Sequence, residues 1–414
     1  MSILNRLLSI RFWEESMRGP KRIFFCLFLL GIIILCWTGT NYTAWDFVHR
    51  YRMGYLILHG IDPVDVVRNP EVSTNANLPE SIIPLGFSPY HIDFPWTQSM
   101  SALFGILKPN LSLAVFRLLQ VGCLIFCMAA SIHYLIRKYH IERMLAAMLV
   151  SLFFLASYVR TDIKVGNTAL ISFAGVFILY YGWEKKKAWL EAIGMTLLCL
   201  KPQTGFLFVL LLLLERHFLA LFLTGVFCLV ISIPEMLCLH KIPWDFLRSM
   251  FAVKFVFTVE PQTLGLFCVL YQVVPQKILM GCDLLASTAV LGYFWWRCPS
   301  KDPMVRMLPA VVGTLFWTYS RTYHFILWVI PLLCLAGLLK AFEEDRKNIC
   351  ITLLLMALLW LPVQQYLPTY VFLFKYVLSV IAIFYISKHT EKSVDGSLQP
   401  EPEAEPEATT SRLS

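Results

Sequence analysis

The sequence predicts an all-α, polytopic integral membrane protein with about 11–13 transmembrane helices and short helices in its outer loops. The first reason is composition: 58% of the 414 residues are hydrophobic and only 15% are charged. A soluble domain would carry about 25% charged residues. The second is the mean hydropathy of +0.65. The third is that apolar runs of about 20 residues recur along almost the whole chain, as membrane helices require.

The two ends of the chain differ from its apolar middle. In residues 1–22, "LNRLLSIRFW" alternates basic and apolar residues, which predicts either an amphipathic helix on the inner surface or an ordinary positively charged cytoplasmic end. No small-x-small site follows the first apolar run, so a cleavable signal peptide is not expected. Residues 388–414 are rich in Pro and Glu and predict a disordered cytoplasmic tail. The membrane-embedded domain is therefore expected over 23–387, with a large outer loop at 41–110.

The predicted spans follow the apolar runs. They are 23–40, 111–136, 144–160, 167–183, 188–200, 203–214, 218–238, 278–296, 305–318, 323–340, 349–366 and 370–387. Two of them, 188–200 and 203–214, are too short to cross a core of about 30 Å upright, and they predict a helical hairpin that turns at "KPQT". Pro202 permits this break because it removes a backbone donor. The alternative is one span over 188–214, which would reverse the orientation of everything after it.

Basic residues in the loops predict the orientation. With the N-terminus inside, the loops "RKYHIER", "EKKK", "ERH", "RCPSKDPMVR", "EEDRK" and "SKHTEK" all lie inside, as the positive-inside rule expects. The formal charge of +8 comes largely from such loops, so it does not indicate nucleic-acid binding. The twelve cysteines are scattered, mostly in apolar runs, and are interpreted as small packing residues rather than as disulfides or a zinc site.

The polar, Pro-containing stretches of this apolar chain all fall on the outer side. They are "WDFVHRYRMG", "PYHIDFPW", "RTDIKVGN", "KPQ", "VEPQT" and "YSRTYH". Ionisable groups at a membrane edge are costly to bury and are functional when they converge. A carboxylate near a hydroxyl can act as a general base, while Arg, Lys and His can hold a phosphate. Together these groups suit the transfer of a group from a lipid phosphate to an alcohol.

Each of these residues also has a structural interpretation. Asp46 could pair with Arg50 or cap a helix, and Lys201 could extend from a hairpin turn to the membrane surface. His324 could be a packed histidine, and "GN" at 166–167 could be a turn and a helix start. The outer aromatic residues, among them Tyr323, could stack on sugar rings or form an interfacial belt, and the belt is favoured for most of them.

The order of these motifs resembles glycosyltransferase family 87, a family of the GT-C superfamily. In that family an Asp in the first outer loop precedes a "YxxGxxxLxGxxPY"-like segment, and here the corresponding stretch is "WDFVHRYRMGYLILHGIDPVDV". A "YPP"-like patch, a "GQxN"-like turn and a "KP" hairpin correspond to "PYHIDFPW", "VGNTAL" and "LKPQTG". A "NQSLxG"-like element and an "S…H" turn correspond to "EPQTLGLF" and "YSRTYHFILWVIPLL". The resemblance covers about residues 40–340, but the Gln of "GQxN" is missing and the "YPP" and "NQS" patches are substituted.

The resemblance implies a GT-C fold and a hexosyltransferase that uses a polyprenyl-phosphate-linked hexose, most often mannose. Asp46 would be the general base, and inversion at the anomeric carbon would follow from a single displacement. The leaving lipid phosphate would be held by Lys201 and Arg321, with Arg160 and His324 behind them. Substrate contacts are expected from the remaining polar residues of the outer segments: Arg52, His91, Asp93, Asp162, Asn167, Gln203, Glu260, Gln262 and Tyr323.

No cofactor and no metal is expected, although Asp93 and Asp162 could bind a cation as an alternative. The acceptor could be a glycolipid, a polysaccharide or a protein, and the resemblance suits a bacterial inner membrane with the site on the periplasmic face. The main alternative function is a transporter or flippase of lipid-linked sugars. It is disfavoured because transporters place substrate near the bilayer midplane between repeats, and no internal repeat is evident here. A non-catalytic scaffold would leave the outer charges unexplained.

Overall fold

The structure is a computed structural model that describes residues 44–68, 95–242, 244–245, 276–316, 322–342, 345–360 and 370–396. No strand occurs within these ranges. The α-helices in chain order are α1 (Trp45–Leu58), α2 (Pro63–Arg68), α3 (Pro95–Gly105), α4 (Pro109–Tyr139), α5 (Arg143–Phe154), α6 (Ser157–Val165), α7 (Ala169–Glu184), α8 (Ala188–Cys199), α9 (Pro202–Leu214), α10 (Phe218–Leu239), α11 (Gln276–Arg297), α12 (Pro303–Phe316), α13 (Val329–Ala341), α14 (Arg346–Trp360) and α15 (Tyr370–Gly396). A 3₁₀ helix, Thr322–Trp328, leads directly into α13.

Three helical segments of the described chain are long and apolar enough to cross a membrane. They are α4, α10 and the continuous segment His324–Ala341, and α5 with α6 would add a fourth if the bent pair is one span. Helices α7, α8, α9 and α12 are apolar but shorter. The predicted all-α, polytopic membrane fold is confirmed. The number of 11–13 helices stays a prediction, and the predicted first span at 23–40 lies outside the described residues.

The predicted span over 144–160 is not one continuous helix. Helix α5 ends at Phe154, and α6 leaves it at an angle of 57°. Ala156 takes an extended conformation at the break, and the Tyr158 hydroxyl donates a hydrogen bond to the Phe153 carbonyl at 2.9 Å. That bond satisfies a carbonyl which the bend removes from the helical ladder. Residues 160–165, predicted as outer loop, are therefore helical.

Polar contacts concentrate at two opposite ends of the helix bundle. At one end, which we call the basal end, Arg137 pairs with Glu184 at 3.4 Å. Asp302 accepts a hydrogen bond from Tyr134 at 3.2 Å there, and Glu215 pairs with Arg306. These are the loops predicted to lie inside. Between the two ends, α13 is buried along Val329–Leu338 and packs against helices on several sides, as the centre of a bundle does.

The predicted helical hairpin at "KPQT" is present. Glu191, in the first turns of α8, contacts His217, which follows α9, with 2.6 Å between Oε2 and Nδ1. The start of α8 and the end of α9 therefore lie together at the basal end, and the turn between them, at Leu200 and Lys201, lies at the other. A single span over 188–214 is excluded by this contact.

Candidate active site

The end opposite the basal end is built around helix α1, which packs closely on α3. A Cβ placed on Gly54 would lie 2.0 Å from the Ser101 carbonyl oxygen, and one on Gly105 would lie 2.7 Å from the Gly54 carbonyl carbon. Only glycine allows two backbones to approach so closely. Helix α1 carries Asp46 in its first turn, where the helix dipole favours a carboxylate.

Asp46 is held by the turn between α6 and α7. Its Oδ2 accepts a short hydrogen bond from the side-chain amide of Asn167, and Asp46 is only 9% exposed. The Asn167 Oδ1 accepts a bond from the Thr168 N–H at 2.7 Å, which sets the amide so that its nitrogen faces Asp46. Gly166 precedes it with φ +69°, a conformation that favours glycine. The "VGN" motif thus delivers an oriented donor to Asp46.

A second layer of hydrogen bonds lies beneath this turn. Gln120, in the apolar helix α4, donates to the Asn167 carbonyl at 2.8 Å and to the Asp162 carboxylate at 3.2 Å. The same carboxylate accepts the backbone N–H groups of Ala169 and Leu170 at 3.1 and 3.2 Å. Asp162 is fully buried, and it caps the N-terminus of α7. The Asp162 carboxylate thus holds the start of α7 and contacts the side chain of Gln120.

A buried basic pair completes this end of the molecule. Lys201 Nζ lies 2.8 Å from His324 Nε2, and the two side chains are 4% and 5% exposed. A protonated lysine can only donate, so His324 accepts through a neutral ring nitrogen. Lys201 is also the N-cap residue of α9, where the helix dipole favours an anion. Helix α6, which carries Asp162, packs on both the 3₁₀ helix of His324 and helix α1 of Asp46, so the basic pair and the carboxylate lie on neighbouring elements.

Helix α3 ties the Lys201 turn to α1. The indole N–H of Trp96 donates to the Cys199 carbonyl at 2.8 Å, and the Thr97 hydroxyl donates to the Leu200 carbonyl at 2.9 Å. These bonds satisfy carbonyls at the C-terminus of α8, which have no partner within their own helix. Because α3 also packs on α1, it fixes the distance between the basic pair and the helix that carries Asp46.

Helix α1 adds a basic cluster next to Asp46. Arg50 Nη2 donates to the Thr168 hydroxyl at 3.5 Å, and Arg52 is 1% exposed. Burial lowers the pKa of His49, the positive charges of Arg52 and Arg50 lower it further, and the charge of Asp46 opposes them. His49 is thus favoured in its neutral form.

A family model for glycosyltransferase family 87 matches residues 95–320, which is more than half of the chain. The protein belongs to glycosyltransferase family 87. It is therefore a membrane glycosyltransferase, and a sugar donor and an acceptor are its substrates. No curated protein matches the chain.

The region of this glycosyltransferase that matches the family model extends from α3 past α12 and includes Asn167 and Lys201. Asp46 lies before the matched region and His324 after it. Asn167 contacts Asp46, and Lys201 contacts His324, so each outlying residue is bound to one within the match. The fold thus brings residues 121 and 123 positions apart into hydrogen-bond contact.

The glycosyltransferase brings together five of the residues that the sequence predicts for its site. They are Asp46, Asp162, Asn167, Lys201 and His324. Arg52 is buried on the helix of Asp46, Gln203 is half-buried in the first turn of α9, and Arg160 is exposed on α6. The other predicted positions lie outside the described residues or, for Tyr323, have a side chain that is not described: His91, Asp93, Glu260, Gln262, Arg321 and Tyr323.

Sequence reasoning missed Gln120 and Thr168 as members of this network. Gln120 is an amide within an otherwise apolar run, and polar residues inside spans tend to be functional, so that rule could have found it. Within the described residues no group of three or more His, Cys, Asp or Glu side chains is arranged to hold a metal ion.

Proposed function

We propose that this glycosyltransferase moves a hexose, with mannose the first donor to test, from a polyprenyl-phosphate carrier to an acceptor hydroxyl. The observation that carries the proposal is the location of an oriented carboxylate, Asp46, in the same buried polar end as the Lys201–His324 pair. A base and a phosphate-binding cation are the two groups that transfer from a lipid phosphate requires. A transporter of lipid-linked sugars requires no such base.

In the proposed reaction, Asp46 takes the proton of the acceptor hydroxyl as the oxygen attacks the anomeric carbon. The bond between that carbon and the phosphate oxygen breaks, and the lipid phosphate leaves with the electron pair. Lys201 and His324 stabilise the charge that develops on the phosphate. Asn167 donates to Asp46, and this bond favours the carboxylate form that can accept a proton. One displacement with a base-activated hydroxyl inverts the anomeric configuration.

The predicted cations Arg321 and Arg160 would supplement this pair at the phosphate. Arg160 is exposed at the same end of the bundle, where a lipid headgroup can reach it. Substrate contacts from Arg52, Gln203 and Tyr323 belong to the same proposal. We further propose that this end faces the outer, periplasmic side of a bacterial inner membrane. The C-terminus would then be cytoplasmic. A reporter enzyme that works only in the cytoplasm should therefore be active when it is fused after Ser414.

The test is the transfer of radiolabelled hexose from polyprenyl-phosphate-hexose in membranes that contain the intact chain, Asp46→Asn or Asp65→Asn. Asp65 is the matched control, since it is a carboxylate on neighbouring helix α2 that pairs with Lys241 at 3.7 Å and is half exposed. All three proteins must be present at equal levels. We expect transfer by the intact chain and by Asp65→Asn, and none by Asp46→Asn. Full activity of Asp46→Asn would reject the general base, and no transfer from any donor would reject the reaction.

A further inference from the structure

Gln120 is a buried amide whose position only its contacts with the α6–α7 turn explain. It lies in an apolar helix of 31 residues and is 0% exposed. Its Nε2 donates to the main-chain carbonyls of Asn167 and Asp162 at 2.8 and 3.1 Å, and to the Asp162 carboxylate at 3.2 Å. Its own Oε1 is buried and has no hydrogen-bond partner among the described residues. An unpaired buried oxygen is costly, so the amide is not there for its own packing.

The contacts of Gln120 act on the backbone that carries Asn167. A bond to the Asn167 carbonyl fixes the peptide unit between Asn167 and Thr168, and the Thr168 N–H of that unit donates to Asn167 Oδ1 at 2.7 Å. With that oxygen engaged, the Asn167 amide nitrogen is directed at Asp46 Oδ2. A path of hydrogen bonds therefore runs from Gln120 through Asn167 to Asp46.

All members of this path are buried, so water does not compete for their hydrogen bonds. Asn167 is 3% exposed and Thr168 is 5% exposed, while Asp46 is 9% exposed. In such surroundings hydrogen bonds are stronger and rotamers are fixed by packing. A small misplacement of a reacting group can lower a rate about 100-fold, so a change in the orientation of the Asp46 carboxylate has a measurable effect.

We propose that Gln120 is a positioning residue for sugar transfer, which sets the orientation of the Asp46 carboxylate by holding the turn of Asn167. This inference rests on the proposed role of Asp46 as the base. Gln120 itself touches neither substrate. Its removal changes the rate of the chemical step and leaves donor binding at Lys201 and His324 unaffected.

The decisive variant is Gln120→Met, which keeps the length of the side chain in an apolar helix and removes its donor. The matched control is Ser131→Ala, because Ser131 is equally buried in the same helix and donates only within it, to Cys127 at 2.7 Å. We expect kcat to fall roughly 10- to 100-fold in Gln120→Met with the donor KM unchanged within about twofold. The pH profile of kcat/KM should also change in Gln120→Met. Ser131→Ala should keep the kcat and the pH profile of the intact chain. Unchanged kcat in Gln120→Met overturns the proposal.

A double-variant cycle separates positioning from general stabilisation. In an Asn167→Ala background, Gln120→Met should have less than about a twofold further effect, because Gln120 acts through Asn167. If Gln120→Met lowers kcat by the same factor in the intact chain and in Asn167→Ala, the proposal is overturned. If Asp46→Asn remains active, the base assignment fails and the positioning role fails with it. If Asp46→Asn is inactive and Gln120→Met is fully active, only the positioning role fails.

A measurement that needs no turnover completes the test. Hydrogen exchange of the intact protein, read by mass spectrometry, should show faster exchange in Gln120→Met within residues 162–170 and 44–52. Exchange in α15 should stay unchanged, since that helix packs mainly on α12, α13 and α14 rather than on the helices that carry Gln120 and the turn. Identical exchange in the two segments for Gln120→Met and the intact chain shows that Gln120 does not hold the turn, and this overturns the proposal whether or not a donor has been found.

Discussion

Gly166 lies directly against Phe47: a Cβ added to Gly166 would come within 2.6 Å of the Phe47 Cβ. The same atom would lie 3.2 Å from the Ala44 Cβ, and Gly166 has a φ of +69°. Two independent constraints therefore require glycine at the position that precedes Asn167. The close approach of this turn to the start of α1 is what allows Asn167 to reach Asp46.

Substitution Gly166→Ala is expected to abolish most transfer and to destabilise the protein. The positive φ alone costs an L-residue about 1–2 kcal/mol, and the contact with Phe47 moves α1 away from Asn167. Transfer rates and thermal unfolding of the purified protein in detergent measure both effects.

Gly60→Ala separates the two causes in that experiment. Gly60 has a φ of +71°, but its nearest atom for an added Cβ is the Cys238 carbonyl oxygen at 3.7 Å. Gly60→Ala should thus lose stability from backbone conformation alone and retain transfer. If Gly166→Ala behaves like Gly60→Ala, the contact with Phe47 does not position Asp46.

Substitution Gly54→Ala tests the packing of α1 on α3. The added Cβ would lie 2.0 Å from a main-chain oxygen of Ser101, which no side-chain rotation can relieve. Overpacking of this kind costs about 1–3 kcal/mol, so the midpoint of thermal unfolding should fall by several degrees.

Gly225→Ala is the control for this packing experiment, since nothing lies within 4 Å of an added Cβ in the described part of the chain. There alanine should leave the midpoint unchanged or raise it through its higher helix propensity. Equal midpoints for Gly54→Ala and Gly225→Ala would contradict the close approach of the two helices.

The sequence predicts which residues lie at the polar end of the bundle, because hydropathy places the spans and the charges of the loops orient them. Positive loops and Pro202 suffice to place Asp46, Asn167, Lys201 and His324 at the same end. The contact of Lys201 with His324 was beyond such reasoning, because the two residues are 123 positions apart and only packing brings them together.

The break after α5 was missed for a related reason. Hydropathy averages over a window, and the apolar residues on both sides of Leu155 make the run look continuous. A bend depends instead on local hydrogen bonds, here that of Tyr158 to the Phe153 carbonyl. Gln120 was hidden in the same way, as one amide in a run whose mean hydropathy is 2.1.

Substitution Lys201→Met should lower kcat/KM for the polyprenyl-phosphate donor roughly 100- to 1,000-fold, as the loss of one charge-stabilising group does. Lys201→Arg should retain only part of the kcat/KM of the intact protein, because a planar guanidinium cannot reproduce the contact of the ammonium with His324. Steady-state kinetics with varied donor concentration measure both variants.

Lys164→Met is the matched control for the loss of a lysine, since Lys164 is half-buried on α6. Thermal unfolding should be followed for each variant, so that a loss of folded protein is not mistaken for a loss of catalysis. Donor kinetics of Lys201→Met that match those of Lys164→Met would remove Lys201 from the phosphate site.

His49 is expected to make the stability of the protein depend on pH. Burial is the main cause that lowers its pKa, and Arg52 adds to it. The ordinary pKa of histidine is about 6.5, so above this pH both the folded and the unfolded chain carry neutral His49. Below it the unfolded chain binds a proton that the folded chain resists, and the free energy of unfolding declines until the pH passes the lowered pKa.

The measurement is thermal unfolding between about pH 5 and pH 8, the range in which histidine titrates. His49→Gln should flatten the decline in the unfolding midpoint below pH 6.5, because a glutamine binds no proton in either state. His59→Gln is the control, since His59 follows the same helix but is exposed. A midpoint that falls equally in His49→Gln and in the intact chain would place the pH dependence elsewhere. If His49 is neutral in the folded protein, the unfolding midpoint falls as the pH falls. If His49 were charged beside Asp46, the midpoint would instead rise as the pH falls.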